Sequence, residues 1–183
     1  MKTLEDQMSV YAAYHQDSRN KASHFVGVPM IILSLFIPLS WLKLEAGPFA
    51  ITGAIVFAAA VLLYYVFLDA VLAIATAVFT ALLLVAAEWI AGRGAIAGWV
   101  AFAALFVVGW IVQLVGHAFE GRKPALVDNL FQILIAPIFL CAELFFALGY
   151  KPALHARVQD RAATLRAESQ ARRAADAKLT ATS

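Results

Sequence analysis

Charged residues are scarce in this 183-residue chain: Asp, Glu, Lys and Arg make up 14% of it, whereas apolar residues make up 63%. Soluble domains carry about a quarter charged residues and about half apolar ones. Between Phe49 and Trp89 the only Asp, Glu, Lys or Arg residues are Asp69 and Glu88. A stretch of that length with so few charges offers no water-facing surface, which excludes a soluble domain and indicates a helical membrane protein.

Cysteine is nearly absent, because Cys141 is the single cysteine, and this excludes both an internal disulfide and a paired-cysteine metal site. The chain also lacks a Gly-rich phosphate loop and a Gly-x-Ser-x-Gly nucleophile motif. We expect no cleavable signal peptide, since the chain opens on polar residues and no small-residue cleavage site follows its first apolar run. These absences leave the four histidines as the most informative residues for function.

Apolar residues form five segments, at about 26–42, 49–68, 70–91, 95–117 and 129–149. A helix needs about 20 residues to cross a bilayer, so we predict an all-α, polytopic membrane protein with four to five apolar segments. Asp69 marks the break between the second and third segments, and a hairpin turn is sufficient to explain it. Pro137 and Glu143 interrupt the fifth segment, which is therefore predicted to be a full crossing or a broken, re-entrant helix.

Polar residues at both ends of the chain set the expected domain organisation. A stripe at helical spacing predicts a short N-terminal amphipathic helix: Leu4, Met8, Tyr11 and His15. We take residues 1–150 as a single membrane-embedded helical domain. Residues 151–183 form a basic tail with seven Lys or Arg against three Asp or Glu. We expect this tail to be helical in its first half and disordered towards its end.

Basic residues indicate which ends of the segments share a face of the membrane. They concentrate in the N-terminal tail, at Arg122 and Lys123, and in the C-terminal tail. The positive-inside rule therefore predicts a cytoplasmic face for these regions. Abundant Ala, Arg and Gly with short loops is typical of a bacterial inner-membrane protein. The tail lacks interleaved aromatic residues, so we interpret it as a contact for anionic membrane lipid and expect no nucleic-acid partner.

Three histidines are predicted to meet at that face, at the depth of the membrane interface: His15, His24 and His117. Imidazole is the commonest metal ligand, and clustered histidines suit iron, zinc or manganese. Nine residues of straight helix would put His15 and His24 on opposite faces, so they converge only if the chain bends at Asp17-Ser18. The alternative is that each histidine only anchors a helix end at the interface.

Polar neighbours at helical spacing extend this pattern. Asn20 lies four residues before His24, Gln113 lies four before His117, and Glu120 lies three after it. Asp128 and Gln132 form a further polar pair. The alternatives remain open: Asp17 and Asn20 are also suited to capping helices, and residues 120–123 to a solvated loop.

Two sequence motifs carry a resemblance to a known family. The first is Tyr11-Ala12-Ala13-Tyr14-His15-Gln16-Asp17-Ser18-Arg19-Asn20, followed by His24 and Val28-Pro29. The second runs Trp110-Ile111-Val112-Gln113-Leu114-Val115-Gly116-His117, then Phe119-Glu120, Arg122, Pro124-Ala125-Leu126 and Asp128-Asn129-Leu130. Together they resemble the small membrane-bound 2-hydroxy fatty acid dioxygenases, which include the fungal endoplasmic-reticulum enzyme of fatty-acid α-oxidation and its bacterial relatives.

The resemblance implies an Fe(II)-dependent dioxygenase that converts a long-chain 2-hydroxy fatty acid and O2 into the acid one carbon shorter. Substrate and membrane lipid would be its partners, and the endoplasmic reticulum is the family's alternative location. The metal ligands that it implies are the three histidines His15, His24 and His117, with Glu120 or a water as a further candidate.

The resemblance also implies roles for the surrounding polar residues. Glu120, Arg122 and Asn20 would act on the substrate, with Arg122 or the adjacent Lys123 pairing with its carboxylate. Four residues with an amide or carboxylate group are expected to orient the imidazoles: Asp17, Asn20, Gln113 and Asp128. His155 lies outside both motifs and is left out of the site.

Two other functions remain compatible with the residues alone. Histidine ligands do not select one metal, so a zinc-dependent lipid hydrolase is the first alternative. A non-enzymatic transporter or lipid-binding protein is the second, in which the polar clusters line a path or cap helices.

Overall fold

The computed structural model describes residues 2–46, 49–121 and 130–181. Helices make up most of it, which confirms the all-α prediction: α1 (Leu4–Ala13), α2 (Ser18–Leu39), α3 (Gly53–Leu68), α4 (Ala70–Ala91), α5 (Ala95–Glu120), α6 (Ala136–Ala147) and α7 (Pro152–Ala181). A 3-10 helix at Leu130–Leu134 precedes α6. A short antiparallel hairpin, β1 (Lys43–Ala46) and β2 (Phe49–Thr52), joins α2 to α3 and was not predicted.

Within the described residues, three helices are long and apolar enough to cross a membrane: α2, α4 and α5. The helices α3 and α6 are apolar but shorter, at 16 and 12 residues. Twelve helical residues span about 18 Å, less than the roughly 30 Å of a hydrocarbon core. The fifth segment is broken into the 3-10 helix and α6, with Pro137 in the first turn of α6. Four to five crossings remain a prediction.

The helices α2 to α5 alternate in direction between two ends of the bundle. At one end, which we call the far end, Trp41 Nε1 after α2 donates to the Ala91 carbonyl of α4 at 3.3 Å. At the other, which we call the histidine end, Gln7 of α1 donates to the Tyr64 hydroxyl of α3 at 2.9 Å. The hairpin and the α4–α5 turn lie at the far end, and the N-terminus lies at the histidine end.

Glycines allow α2 and α5 to pack closely along their length. A Cβ atom at Gly27 would lie 2.9 Å from the Gly109 carbonyl oxygen. A Cβ atom at Gly116 would overlap Ser23 Oγ and lie 2.7 Å from Asn20 Oδ1. Small residues at such crossings let helix backbones approach within a membrane. This contact brings the first turns of α2 against the last turn of α5.

The basic tail forms a helix that packs on α1. Its arginines reach acidic residues of α1, with Arg157 Nε 2.8 Å from Glu5 Oε2 and Arg161 Nη1 2.6 Å from Asp6 Oδ1. The side chain of Val158 is fully buried between these pairs. The described helix ends at Ala181, and the division of the chain into a domain at 1–150 and a partly disordered tail remains a prediction. The first part of the tail helix therefore packs at the histidine end, where these two half-exposed arginines pair with α1.

Helix α1 is covered on more than one side. The predicted apolar stripe is buried at Leu4, Met8 and Tyr11, but Gln7 and Ser9 are buried as well. A one-sided amphipathic helix is therefore not confirmed, because α7 covers a surface that the sequence pattern assigned to water or lipid headgroups.

The two carboxylates that the sequence placed inside apolar segments have structural partners. Asp69 caps α4 by accepting hydrogen bonds from the backbone N–H groups of Val71 at 3.0 Å and Leu72 at 3.2 Å. Its second oxygen pairs with Lys151. Glu143 Oε2 of α6 lies 2.8 Å from Lys21 Nζ of α2. A hairpin turn is thus a sufficient explanation for Asp69.

Candidate metal centre

Three histidines from different parts of the chain converge at the histidine end of the bundle. His15 lies in the bend between α1 and α2, His24 in the second turn of α2, and His117 in the last turn of α5. All three are buried, and one ligand atom from each lies within 4.8 Å of the others. Convergence at one end of the bundle is what the sequence analysis required of a shared centre.

A bend in the chain places His15 beside His24. Helix α1 ends at Ala13, and Asp17 then caps α2 by accepting a hydrogen bond from the Arg19 backbone N–H at 2.8 Å. Hydrogen bonds from Arg19 also lower the pKa of Asp17 to about 2, which keeps the cap ionised. The break at Asp17-Ser18 thus has the effect that the sequence predicted.

Backbone carbonyls fix the orientation and tautomer of two imidazoles. Nδ1 of His15 lies 2.7 Å from the Tyr11 carbonyl oxygen, and Nδ1 of His24 lies 2.8 Å from that of Asn20. A carbonyl oxygen only accepts, so each Nδ1 carries the proton and each neutral ring presents a lone pair on Nε2. The same arrangement holds metal-binding histidines in other proteins.

The two free lone pairs face each other. Nε2 of His15 lies 3.0 Å from Nε2 of His24. Burial, with a smaller contribution from the His24 imidazole, lowers the pKa of His15 well below its usual range. Protonation of His15 Nε2 is therefore unfavourable, and a shared proton does not bridge the two nitrogens. Two facing lone pairs at this distance repel each other unless a cation lies between them. The pair therefore fits a metal ion.

The third imidazole completes the cluster. The ring centroid of His117 lies 5.0 Å from that of His15 and 5.2 Å from that of His24. Within the described part of the chain, the buried Nδ1 of His117 has no hydrogen-bond partner. A buried nitrogen without a partner is costly, and a metal ligand is one way to satisfy it. The three imidazoles thus fit the nitrogen donor set of iron, zinc or manganese.

Glu120 ties the His15 bend to the end of α5. Its Oε2 accepts hydrogen bonds from the backbone N–H groups of Gln16 at 3.0 Å and Asp17 at 2.7 Å, and from Asn20 Nδ2 at 3.2 Å. Its Oε1 pairs with Arg166 of α7, and the side chain is fully buried. Both carboxylate oxygens therefore bind the protein, which suits holding the bend in place more than ligating a metal.

A cavity of about 180 Å³ opens from the three imidazoles and runs between α2, α3 and α5. Its histidine end carries two buried amides, those of Gln113 and Gln132. In the described structure, Oε1 of Gln113 and both amide atoms of Gln132 have no hydrogen-bond partner. The rest of the wall is almost entirely apolar. Such a cavity suits an amphiphile with a polar head at the imidazoles.

Comparison with known proteins decides the family. A model described as 2-hydroxy-palmitic acid dioxygenase Mpo1-like matches residues 1–148. The chain belongs to this Mpo1-like family. It is 31% identical over 170 residues to the 2-hydroxy-palmitic acid dioxygenase MPO1 of Saccharomyces cerevisiae, an alignment that covers 85% of this chain and 87% of the yeast protein. No solved structure matches the chain. The family resemblance seen in the two motifs is confirmed.

The other residues that the sequence proposed for the site occupy different positions. Asn20 lies beside the cluster and holds His24 through its carbonyl and Glu120 through its amide. The Asp17 side chain turns outward to Arg19. Gln113 lines the cavity. The remaining candidates fall outside the described residues: Arg122, Lys123 and Asp128.

Two residues near the cluster were not predicted to belong to the site. Tyr11 stacks on the His15 ring, with ring centroids 4.1 Å apart, and its position four residues before His15 on a helix was the available signal. Arg166 reaches Glu120 from α7, beyond the part of the chain that the family model matches. Nothing in the sequence pattern pointed to it. His155 stacks on Phe146, apart from the three histidines.

Proposed function

We propose that this protein is an Fe(II)-dependent dioxygenase that converts long-chain 2-hydroxy fatty acids to the acid one carbon shorter. His15, His24 and His117 would hold the iron. The observation that carries the proposal is the facing pair of Nε2 lone pairs, 3.0 Å apart in a buried site, in a member of a dioxygenase family. The reaction balances with one O2 per substrate, which yields the shorter acid, CO2 and water.

Iron, when bound, would supply the activation of O2 that oxidative cleavage next to the carboxyl group needs. The protein's own residues orient the metal ligands and position the substrate. The Tyr11 and Asn20 carbonyls orient two imidazoles, and the apolar cavity excludes water from the alkyl chain. Oε1 of Gln113 and the amide of Gln132, which have no hydrogen-bond partner in the described structure, would bind the hydroxyl and carboxyl groups of a substrate.

Glu120 and Asn20 are proposed as positioning residues instead of groups that act on the substrate. Their side chains bind each other and the bend that carries His15. The pairing of Arg122 or Lys123 with the substrate carboxylate remains a prediction.

We further propose that the protein spans a bacterial inner membrane with its histidine end at the cytoplasmic face. Support comes from an excess of basic residues at the histidine end: Lys2, Arg19, Lys21 and Lys151 lie there, whereas among the described residues the far end carries Lys43 and Arg93. Short-loop basic residues favour the cytoplasmic side.

The test is an assay of detergent-purified protein with 2-hydroxypalmitate. We expect pentadecanoate to form when Fe(II) and O2 are both present, and we expect turnover to stop under nitrogen. Stoichiometric bound zinc with turnover that is independent of O2 would instead favour a lipid hydrolase. Metal content unchanged by alanine at each of the three histidines would favour a transporter or lipid-binding protein.

A further inference from the structure

We propose that the cavity is a slot for a single acyl chain and that Ala58 of α3, at its far end, limits the chain length of the substrate. This inference rests on the proposed function and adds a determinant of specificity to it. The cavity has one polar end, at the three imidazoles, and one apolar end, lined on α2 and α3 by Phe36, Phe57 and Ala58.

The depth of the slot follows from the helices that line it. On α2 the wall runs from His24 to Phe36, a distance of 12 residues or about 18 Å. One leaflet of a bilayer is about 15 Å of hydrocarbon, half of the roughly 30 Å core. The slot is therefore about as deep as the layer filled by ordinary membrane acyl chains. A cavity of about 180 Å³ spread over that depth is too narrow for the two chains of a phospholipid side by side, so at most one chain can occupy it.

Part of the slot wall reaches the surface of the bundle. Two residues of its wall are exposed on the surface of the bundle, Leu35 of α2 at 36% and Phe57 of α3 at 42%. We take this exposed part of the wall, formed by α2 and α3, as the opening of the slot to the bilayer. A fatty acid already dissolved in the membrane can therefore enter sideways, tail first, without passing through water.

Ala58 is the wall residue at which added volume has the clearest consequence. It is only 3% exposed and packs in a core cluster with Phe36 and Ala87. Its methyl group leaves the far end of the slot open, whereas a phenyl ring at the same position would occupy it. The next residue, Ala59, is exposed on the outer face of the same helix. The pair therefore provides a substitution and its matched control.

The experiment compares Ala58→Phe with Ala59→Phe in the iron-loaded protein, using 2-hydroxypalmitate and the shorter 2-hydroxydecanoate. We expect Ala58→Phe to lower kcat/KM for the long acid relative to the short one by about 10-fold or more, the size of effect that hydrophobic pockets give for unmatched methylenes. Ala58→Leu, a smaller change that guards against misfolding, should shift the ratio in the same direction. Ala59→Phe should leave it unchanged.

If the ratio of kcat/KM for the long acid to that for the short acid is unchanged in both Ala58 variants, the proposed slot is wrong. Equilibrium binding of both acids to the metal-free protein separates this inference from the proposed reaction. Length-dependent binding that is lost in Ala58→Phe, without product in the wild type, would retain the slot and reject the reaction. Shortened product from the wild type with no length effect at Ala58 would retain the reaction and reject the slot.

Discussion

Replacing Glu120 tests whether the bend that carries His15 is held by one buried carboxylate. Glu120→Ala removes the acceptor for the Gln16 and Asp17 backbone N–H groups and for the Asn20 amide, and it leaves Arg166 unpaired. Each donor left without a partner costs about 1 kcal/mol at the lower end of the usual range, so the three donors together cost about 3 kcal/mol. Most of that cost falls on the bend.

The consequence for metal binding follows from this local loss. Outer contacts that orient metal ligands typically contribute about 10–100-fold to metal affinity. We therefore expect Glu120→Ala to weaken iron binding by about that factor and Glu120→Gln to weaken it less, because glutamine keeps one carbonyl oxygen for the bend. The assay is an anaerobic competition for Fe(II) against a chromogenic chelator.

Glu5→Gln is the matched control, since it removes a carboxylate from an exposed pair with Arg157. Such surface pairs contribute about 0–1 kcal/mol, so iron affinity should not change. Wild-type iron affinity in Glu120→Ala would show that this carboxylate does not hold the bend for metal binding, and equal losses in Glu120→Gln and Glu5→Gln would show a general charge effect.

Three further predictions concern the scaffold. Gly116→Ala should push α5 from α2, because the new Cβ overlaps Ser23 Oγ, and should lower both thermal stability and bound iron, whereas Gly92→Ala at the α4–α5 turn should change neither. Asp69→Ala should lower the thermal midpoint, through loss of a helix cap worth about 1 kcal/mol and of the Lys151 pair, but should leave iron content intact. Iron at 100 times its dissociation constant should stabilise the protein by about 2.7 kcal/mol, so a chelator should lower the midpoint of the wild type; an unchanged midpoint would contradict a buried ion.

The sequence was sufficient to predict the helical class and the meeting of the three histidines. Long apolar segments define membrane helices because hydrocarbon requires internal hydrogen bonding of the backbone. Polar residues at the segment ends then have to lie at an interface, and the break at Asp17-Ser18 supplied the bend. The hairpin was missed because each strand has only four residues, and its second strand begins within an apolar run. The second strand ends at Thr52, which also caps α3.

The roles of Glu120 and of α7 depend on contacts that local patterns do not encode. Glu120 lies 104 residues from Gln16 in the sequence, and Arg166 reaches it from a basic tail that the sequence suggested as a contact for anionic lipid. That tail buries Val158 and Ala162, four residues apart, against α1. Two small apolar residues in an alanine-rich helix are a weak signal, so the packing of α7 required the structure.

The most direct test of the central claim is the number of iron ions bound per chain in anaerobically loaded protein. We expect one iron in the wild type and little in His117→Ala, since the third imidazole is lost from the cluster. We also expect one iron in His155→Ala, whose histidine stacks on Phe146 apart from the cluster. A full complement of iron in His117→Ala, or its loss in His155→Ala, would contradict a centre formed by His15, His24 and His117.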